Sequence, residues 1–223
     1  NWHGKRRARQ LALTPSTGTL RPCPGDGVDE ATTQNIVIEG DNLEVLKLLQ
    51  KSYSGKVKLI YIDPPYNTGK DFVYPDNFQD NIENYLELTG QIGESGQKLS
   101  SNTESSGRFH TDWLNMMYPR LRVARDLLAN DGVIFISIDD NEQANLKTLM
   151  DEIFGSENFC SLITVRKTLP LGSFGLGGVS DYIIWYAKNK EKYKYRQLYV
   201  EKGNEDDSPY SNVLLKNREI RKA

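Results

Sequence analysis

Cysteine, histidine and long hydrophobic runs are scarce in this sequence, and each scarcity excludes a class of protein. Its 223 residues include two cysteines and two histidines. Cys23 and Cys160 lie far apart, and no Cys/His cluster has the spacing of a zinc site, so a zinc protein is disfavoured. No apolar run approaches the length of a membrane span, and no signal peptide is visible. This pattern predicts a cytoplasmic protein that makes no contact with a membrane.

A strong excess of charge is also missing, because the formal net charge is −2. Net charge therefore gives no indication of a uniformly basic nucleic-acid binder. The exception is the basic cluster at residues 5–9, which is either a solvated face or a set of phosphate contacts. It lies in residues 1–34, which we predict to be an irregular basic segment. The chain begins at Asn1 without methionine and stops in a charged stretch, so we expect a fragment of a longer protein.

Apolar runs typical of strands alternate along the chain with stretches of helical period. The predicted strands cover residues 35–39, 56–62, 132–138, 159–165 and 182–187. Three helices are predicted: one that begins after the cap residue Asp41, one at residues 111–129 and one at residues 140–154. The second should have a kink or break near Tyr118, because Pro119 follows. This alternation predicts an α/β fold with a mostly parallel, doubly wound sheet. We assign residues 35–190 to this core, with a polar insertion at about 75–108.

The most informative segment is Asp63-Pro64-Pro65-Tyr66, directly after the apolar run at residues 57–62. Proline fixes its own φ and restricts the residue before it, so the segment is a stiff turn at a strand tip. Ligands of open α/β sheets bind at the carboxyl ends of strands. A carboxylate, two rigid prolines and an aromatic ring suit the binding of a planar base that carries an exocyclic amine.

This segment resembles the catalytic motif of DNA amino-methyltransferases, and with Asn67-Thr68-Gly69 after it the resemblance is greatest to the adenine-N6 enzymes. Further segments resemble the modification subunits of type III restriction-modification systems, whose motifs are circularly permuted: residues 1–9, 39–46, 118–121, 131–140 and 151–159. The resemblance covers most of residues 1–190. It implies a Rossmann-like fold that uses S-adenosylmethionine (SAM), incomplete in this chain, with residues 191–223 as the start of a target-recognition segment.

The resemblance also implies roles for individual residues. The catalytic set would be Asp63, Pro64, Pro65 and Tyr66, and the contacts to SAM would come from Asp41, Asp63, Asn67 and Thr68. Asp41 has an alternative role as a helix cap, with Glu44 completing a capping box. Tyr66 would stack on a base flipped out of the duplex. From their position at a strand end on the presumed substrate side, Arg166 and Lys167 are candidate DNA contacts.

One expected feature of the family is missing: no Asp-Pro-Phe-x-Gly-x-Gly cofactor loop occurs in the sequence. Residues 174–178 read Phe-Gly-Leu-Gly-Gly, but their glycines are one place away from that spacing. We interpret them as a flexible connection near the substrate face or as a stretch from which residues are missing, with the cofactor loop as a third alternative. Asp139 and Asp140 follow a predicted strand and are expected to cap the next helix, with lining of the site as the alternative. His110 is expected to start a helix, and Trp113 and the pair Met116-Met117 to lie in the core.

The proposed chemistry needs no histidine. The N6 amine of adenine is a weak nucleophile because its lone pair is delocalised into the ring. The Asp63 carboxylate and, by the resemblance, the Pro64 carbonyl would each accept one amine N–H and localise that lone pair. The alternatives are a cytosine-N4 enzyme, an RNA amino-methyltransferase, or an inactive DNA-binding or subunit-docking fragment. The family implies DNA as substrate, a homodimer, a restriction subunit with helicase and nuclease activity as partner, and a prokaryotic source.

Overall fold

A computed structural model describes residues 1–68, 109–167 and 178–196, together with the backbone of two short strands nearer the C-terminus. The predicted insertion at 75–108 and residues 174–177 of the glycine-rich segment lie outside the described residues. The chain divides into two compact units, residues 1–193 and 194–223. The first unit includes both the N-terminal segment and the predicted core. No helix in the described part of the chain is long and apolar enough to cross a membrane.

The described residues form four α-helices, one short 3-10 helix and six strands. The helices are α1 (Lys5–Leu13), α2 (Asn42–Tyr53), α3 (Phe109–Leu127) and α4 (Gln143–Phe154), with the 3-10 helix at Ser156–Asn158. The strands of the first unit are β1 (Val57–Ile62), β2 (Leu128–Ile138), β3 (Phe159–Arg166) and β4 (Ser180–Ala187). In the second unit, β5 (Asn212–Leu214) and β6 (Ile220–Lys222) form an antiparallel pair.

The four strands of the first unit form one sheet in the order β1-β2-β4-β3. β1 and β2 are parallel, whereas β4 is antiparallel to both of its neighbours. Three strands therefore run in one direction, but only one of the three pairings is parallel. The α/β class is confirmed, and the expected predominance of parallel pairing is wrong within this sheet. A parallel connection needs a crossover, usually a helix; the glycine-rich sequence between β3 and β4 shows no helical pattern, which suits an antiparallel connection.

The main core lies between one face of this sheet and helices α3 and α4. Alternate residues of the strands point into it, because side chains of a strand alternate between the two faces. Those with no exposed surface are Leu128, Ile134, Ile136, Ile138, Ile184 and Tyr186. A second cluster packs α1 and α2 against the other side of α3 through Leu11, Leu43, Val123 and Leu127. Helix α3 is therefore buried on two sides.

The opposite face of the sheet is more open in the described residues. Leu59 and Tyr61 of β1 are each 57% exposed, and Phe135 and Trp185 on the neighbouring strands stack at 5.3 Å between ring centroids. The main core cluster joins the sheet to α3 and α4 on one face only. The prediction of a doubly wound sheet, with helices on both faces, is thus not met within the described part of the chain.

Two predictions for the N-terminal region are wrong. Residues 1–34 are not irregular throughout, because α1 lies within them. Its apolar residues Ala8, Leu11 and Ala12 have helical spacing and are buried, although four basic residues surround them in sequence. Conversely, residues 35–39 form no strand, and Ile36 and Val37 are 71% and 96% exposed. A strand needs a hydrogen-bonding partner, and no described strand pairs with this segment.

Helix α3 is continuous through Pro119, so of the kink or break that we predicted near Tyr118 the break does not occur. A proline inside a helix costs about 3 kcal/mol because it removes one backbone hydrogen bond and crowds the preceding turn. Packing on both sides of the helix compensates for this cost. Trp113, Met116 and Met117 are buried, so their predicted place in the core is confirmed. The predicted start of α4 at residue 140 is three residues early, as the helix begins at Gln143.

Candidate active site

The candidate site lies at one edge of the sheet, where β1, β2 and β3 end and β4 begins. This arrangement follows from the strand directions and brings together residues that are far apart in sequence. Residues 63–68 follow β1, Asp139 and Asp140 follow β2, Lys167 follows β3, and Asp181 lies at the start of β4. The predicted catalytic residues and the predicted DNA contacts thus share one edge. This agrees with the rule that ligands of open α/β sheets bind at strand ends.

The turn that carries the motif combines an exposed carboxylate with buried anchoring residues. Asp63 is exposed, Pro64 and Asn67 are buried, and Pro65 and Tyr66 are half-buried. The restricted φ of both prolines limits the ways in which the chain can leave β1. The Asp63 carboxylate is therefore exposed to solvent on a turn that the two prolines restrict, as the sequence predicted.

Trp113 of helix α3 anchors this turn from the buried side. Its indole Nε1 donates a hydrogen bond of 2.7 Å to the carbonyl oxygen of Pro65, and the ring has no exposed surface. The bond orients the peptide group after Pro65. The carbonyl of the preceding residue, Pro64, is the predicted second acceptor for a target amine. Sequence reasoning placed Trp113 in the core, which is correct, but gave it no link to the motif.

The hydroxyl of Tyr66 forms a hydrogen bond with the Asp63 carboxylate of the same motif. It is hydrogen-bonded to Asp63 and to Ser137 on β2, and Ser137 Oγ also lies 2.5 Å from the Tyr61 hydroxyl. Burial and the hydrogen bond to Asp63 raise the pKa of Tyr66 to about 12. Tyr66 therefore stays neutral near pH 7, which is compatible with its predicted role of stacking on a base. A carboxylate has two acceptor oxygens, so Asp63 can bind a further donor while Tyr66 orients it.

Asn67 is held inside the protein. Its φ is +61°, a left-handed conformation that asparagine tolerates better than most residues. The side-chain Nδ2 donates to the Phe109 carbonyl at 3.2 Å and to a carboxylate oxygen of Glu142. The structure thus gives Asn67 a structural role, and its predicted contact to SAM stays a prediction. Thr68, the other weakly predicted contact, is exposed.

The predicted DNA contacts lie among acidic residues. The Lys167 ammonium is 2.7 Å from Asp181 Oδ1, and this hydrogen bond raises the pKa of the lysine, so it remains charged. Arg166 is exposed at the end of β3. Asp140 lies at the same edge and raises the pKa of the Tyr182 hydroxyl by hydrogen bonding. Asp139 binds the backbone N–H and the amide of Asn141, so it closes a short turn and does not cap α4 as predicted.

Asp41 caps helix α2, as the sequence predicted. Its Oδ1 accepts a hydrogen bond of 3.0 Å from the backbone N–H of Glu44. The carboxylate of Glu44 binds the buried Lys47 at 2.8 Å. The guanidinium of Arg120, on α3, donates through Nε to the Asn42 side chain at 2.7 Å and so fixes the start of α2 against α3.

The two roles of Asp41 can be separated by substitution. Asp41→Ala should lower the free energy of unfolding by about 1 kcal/mol through loss of the cap, whereas Asp41→Ser keeps a capping oxygen and should retain most of it. Urea unfolding measures this effect. If Asp41 also contacts SAM, Asp41→Ser should weaken SAM binding in calorimetry without loss of stability. Equal SAM affinity of the wild type and Asp41→Ser would restrict Asp41 to its capping role.

Three residues of the site were missed by sequence reasoning: Glu142, Ser137, and Trp113 in its role as a donor. None carries a local signal, since each is an ordinary residue of its own helix or strand in sequence. His110 was expected only to start a helix, and it does lie at the start of α3. Its Nδ1 is also 2.7 Å from Glu142 Oε1.

Comparison with known proteins identifies the family. A family model for N6- and N4-specific methyltransferases, described as DNA methylase, matches residues 57–219. The chain belongs to this DNA methylase family. The modification subunit of the type III restriction-modification enzyme EcoPI, from Escherichia phage P1, is 46% identical over 197 residues. The corresponding EcoP15I subunit of Escherichia coli is 42% identical over 195 residues.

These relatives are much longer than the chain. Each match covers 86% of this chain but only 30% of the relative, so the chain spans less than a third of their length. Among solved structures, a DNA modification methylase of Thermus thermophilus is similar over 76% of this chain and 58% of its own, with 16% identity and a TM-score of 0.43. The DNA methylase family assignment rests on the sequence matches.

Proposed function

We propose that this DNA methylase chain is the part of an adenine-N6 DNA methyltransferase that holds the target base. The observation that supports this most directly is the Asp63-Pro64-Pro65-Tyr66 turn, with its carboxylate exposed and its backbone anchored by Trp113 at the carboxyl end of β1. The similarity of the chain to type III modification subunits supports a role in a restriction-modification system. Adenine is preferred because the motif has the aspartate form.

In this proposal the residues of the turn bind and activate the amine of a flipped-out base. Asp63 accepts one amine N–H, the Pro64 carbonyl accepts the other, and the Tyr66 ring stacks on the base at a gain of roughly 1–3 kcal/mol. Both acceptors localise the nitrogen lone pair, and the nitrogen loses one proton toward Asp63 or solvent when it is alkylated. Because the two acceptors are fixed before the base arrives, little reorganisation is needed.

SAM, the proposed methyl donor, would supply an electrophilic methyl group when bound; the S–CH3 bond would break and leave its electron pair on the sulfur as a neutral thioether. The described residues fit part of a SAM site: Asp63 and Thr68 are exposed on the turn, and Asp41 lies at the start of α2. Asn67, with its amide directed to Glu142, fits less well. We further propose that Arg166 and Lys167 contact DNA phosphates, and that residues 191–223 begin a target-recognition segment. A homodimer, a restriction subunit as partner and a bacterial cytoplasmic location complete the proposal.

The test is transfer of labelled methyl groups from SAM to unmodified DNA of mixed sequence, followed by nucleoside analysis. Label in N6-methyladenine, absent after Asp63→Ala substitution, is the expected result. Label in N4-methylcytosine would retain the chemistry of the turn and contradict the choice of base. Transfer to RNA but not to DNA would contradict the substrate. Absence of any label would contradict activity of this chain by itself and favour a DNA-binding or docking role for it.

A further inference from the structure

A fully buried carboxylate lies directly behind the motif turn. Glu142 has no exposed surface and occupies the residue before α4, yet its side chain does not cap that helix. One oxygen, Oε1, accepts from Asn67 Nδ2 and lies 2.7 Å from His110 Nδ1, while Oε2 accepts from Asn145 Nδ2 at 2.8 Å. Because burial of a carboxylate without partners is costly, these three contacts explain how Glu142 is tolerated there.

The contact to Asn67 connects Glu142 to the motif. Asn67 directly follows Tyr66 and has a φ of +61°, which any residue other than glycine adopts at a cost. Its side chain is held by Glu142 on one side and by the Phe109 carbonyl on the other. The hydrogen bonds of this amide therefore stabilise the backbone conformation that ends the turn.

The turn is thus fixed at two points by different elements. Trp113 of α3 holds the Pro65 carbonyl, and Glu142 at the start of α4 holds Asn67. Tyr66 lies between these two anchors, and its hydroxyl is bonded to Asp63. A change in the conformation of residue 67 would rotate the peptide next to Tyr66 and alter the geometry of the predicted acceptors.

We propose that Glu142 is a positioning residue for base binding: it holds Asn67 in the left-handed conformation and thereby fixes Tyr66 and Asp63. The role in base binding rests on the proposed methyltransferase function. The effect of Glu142 on the conformation of the turn does not depend on that function. Glu142 does not contact the reacting atoms; it acts through Asn67. His110, whose side chain is 55% exposed, supplies a positive charge next to the buried carboxylate whenever its ring is protonated.

The indole N–H of Trp113 reports on the turn without any need for activity. The chain has three tryptophans, so three indole signals are expected in a ¹⁵N-labelled sample, and a Trp113→Phe variant identifies the relevant one. We expect Glu142→Ala to increase the hydrogen exchange rate of this indole by about 10-fold or more, the size expected when a hydrogen bond to a charged group is lost. The control is Glu152→Ala, which removes an exposed carboxylate of α4, the helix that follows Glu142; Glu152 is paired with Lys5.

Glycine at position 67 separates positioning from general destabilisation. Glycine adopts a left-handed conformation without help from a side chain. In an Asn67→Gly background, Glu142→Ala should therefore change the exchange of the Trp113 indole by less than about 2-fold. An equal effect of Glu142→Ala in both backgrounds would overturn the proposal, as would no effect in the wild-type background. If Glu142→Ala does not fold, Glu142→Gln takes its place in the same cycle and is judged by the same criteria.

Methyl transfer by the same variants separates this inference from the proposed function. If the wild type is active, Glu142→Ala should lower kcat by at least about 10-fold and Asn67→Gly should restore part of it, because small misplacements of reacting groups have large effects on rate. If the wild type is inactive but the exchange cycle behaves as expected, Glu142 positions the turn and the proposed function is wrong for this chain. Unchanged kcat in an active Glu142→Ala variant would overturn the positioning role.

Discussion

Asp63→Ala is expected to lower methyl transfer by at least about 100-fold, since it removes the charged group that we propose as an acceptor for the target amine. The effect should fall mainly on activity. Asp63 is exposed but accepts a hydrogen bond from the Tyr66 hydroxyl, so its substitution should lower the free energy of unfolding by only about 1 kcal/mol. Initial rates with labelled SAM, together with urea unfolding of the same preparations, measure both quantities.

Asp131→Ala is the matched control for this prediction. Asp131 belongs to β2 near the opposite end of the sheet, where it pairs with Lys58 of β1. It should retain the activity of the wild type. A second variant, Asp63→Asn, keeps the shape of the side chain but loses its charge and one acceptor oxygen, so its rate should lie well below that of the wild type. A methyl transfer rate of Asp63→Ala within about 3-fold of the wild-type rate would show that Asp63 is not a catalytic residue. It would also contradict its proposed role as an acceptor for the target amine.

Trp113→Ala is expected to lower the free energy of unfolding by about 3–5 kcal/mol, because it empties a large buried site between α3 and the turn. This is a large part of the roughly 5–15 kcal/mol that typically stabilises a domain. The ring has no exposed surface and lies in the main core cluster. Urea unfolding followed by circular dichroism gives the value. A loss of less than about 1 kcal/mol would contradict the described packing of this residue.

Trp113→Phe separates the packing of the ring from its hydrogen bond. Phenylalanine keeps much of the apolar contact but leaves the buried side of the Pro65 carbonyl without its donor, for which we expect a loss of about 1–3 kcal/mol. The loss should be accompanied by a fall in methyl transfer, because the turn is anchored through this bond. Trp2→Phe is the control: its indole donates at 2.8 Å to Asn115, away from the motif. It should lower stability without a specific effect on transfer.

Local patterns were sufficient to predict much of the fold. The helical period and the cap at Asp41 predicted α2, a β-branched run predicted β2 to within four residues, and the apolar run at residues 182–187 predicted β4 to within two. These patterns hold because side-chain burial imposes a period on each element regardless of what it packs against. The sequence failed where an element depends on a partner. Residues 35–39 have the composition of a strand, but no described strand lies beside them to complete the hydrogen bonds.

The helix α1 shows the opposite failure. Its basic residues at 5, 6, 7 and 9 directed the interpretation toward an irregular basic segment, and the apolar spacing of Ala8, Leu11 and Ala12 received too little weight. Those three side chains are buried, whereas Arg6 and Arg9 remain exposed. Charge was a poor guide because a helix needs only one apolar side to pack on a core.

By itself, the sequence determined the family, the α/β class and the motif that carries the proposed chemistry, since each of these depends on residues that are adjacent in the chain. Only the tertiary structure decided which residues support that motif. Trp113 is 48 residues from Pro65, and Glu142 is 75 residues from Asn67. Neither contact leaves a local pattern in the sequence, because a hydrogen bond requires two groups to meet in space and is indifferent to their separation along the chain. The order of the strands and the packing of α3 bring these groups together, and they make a short segment of the chain into a rigid site.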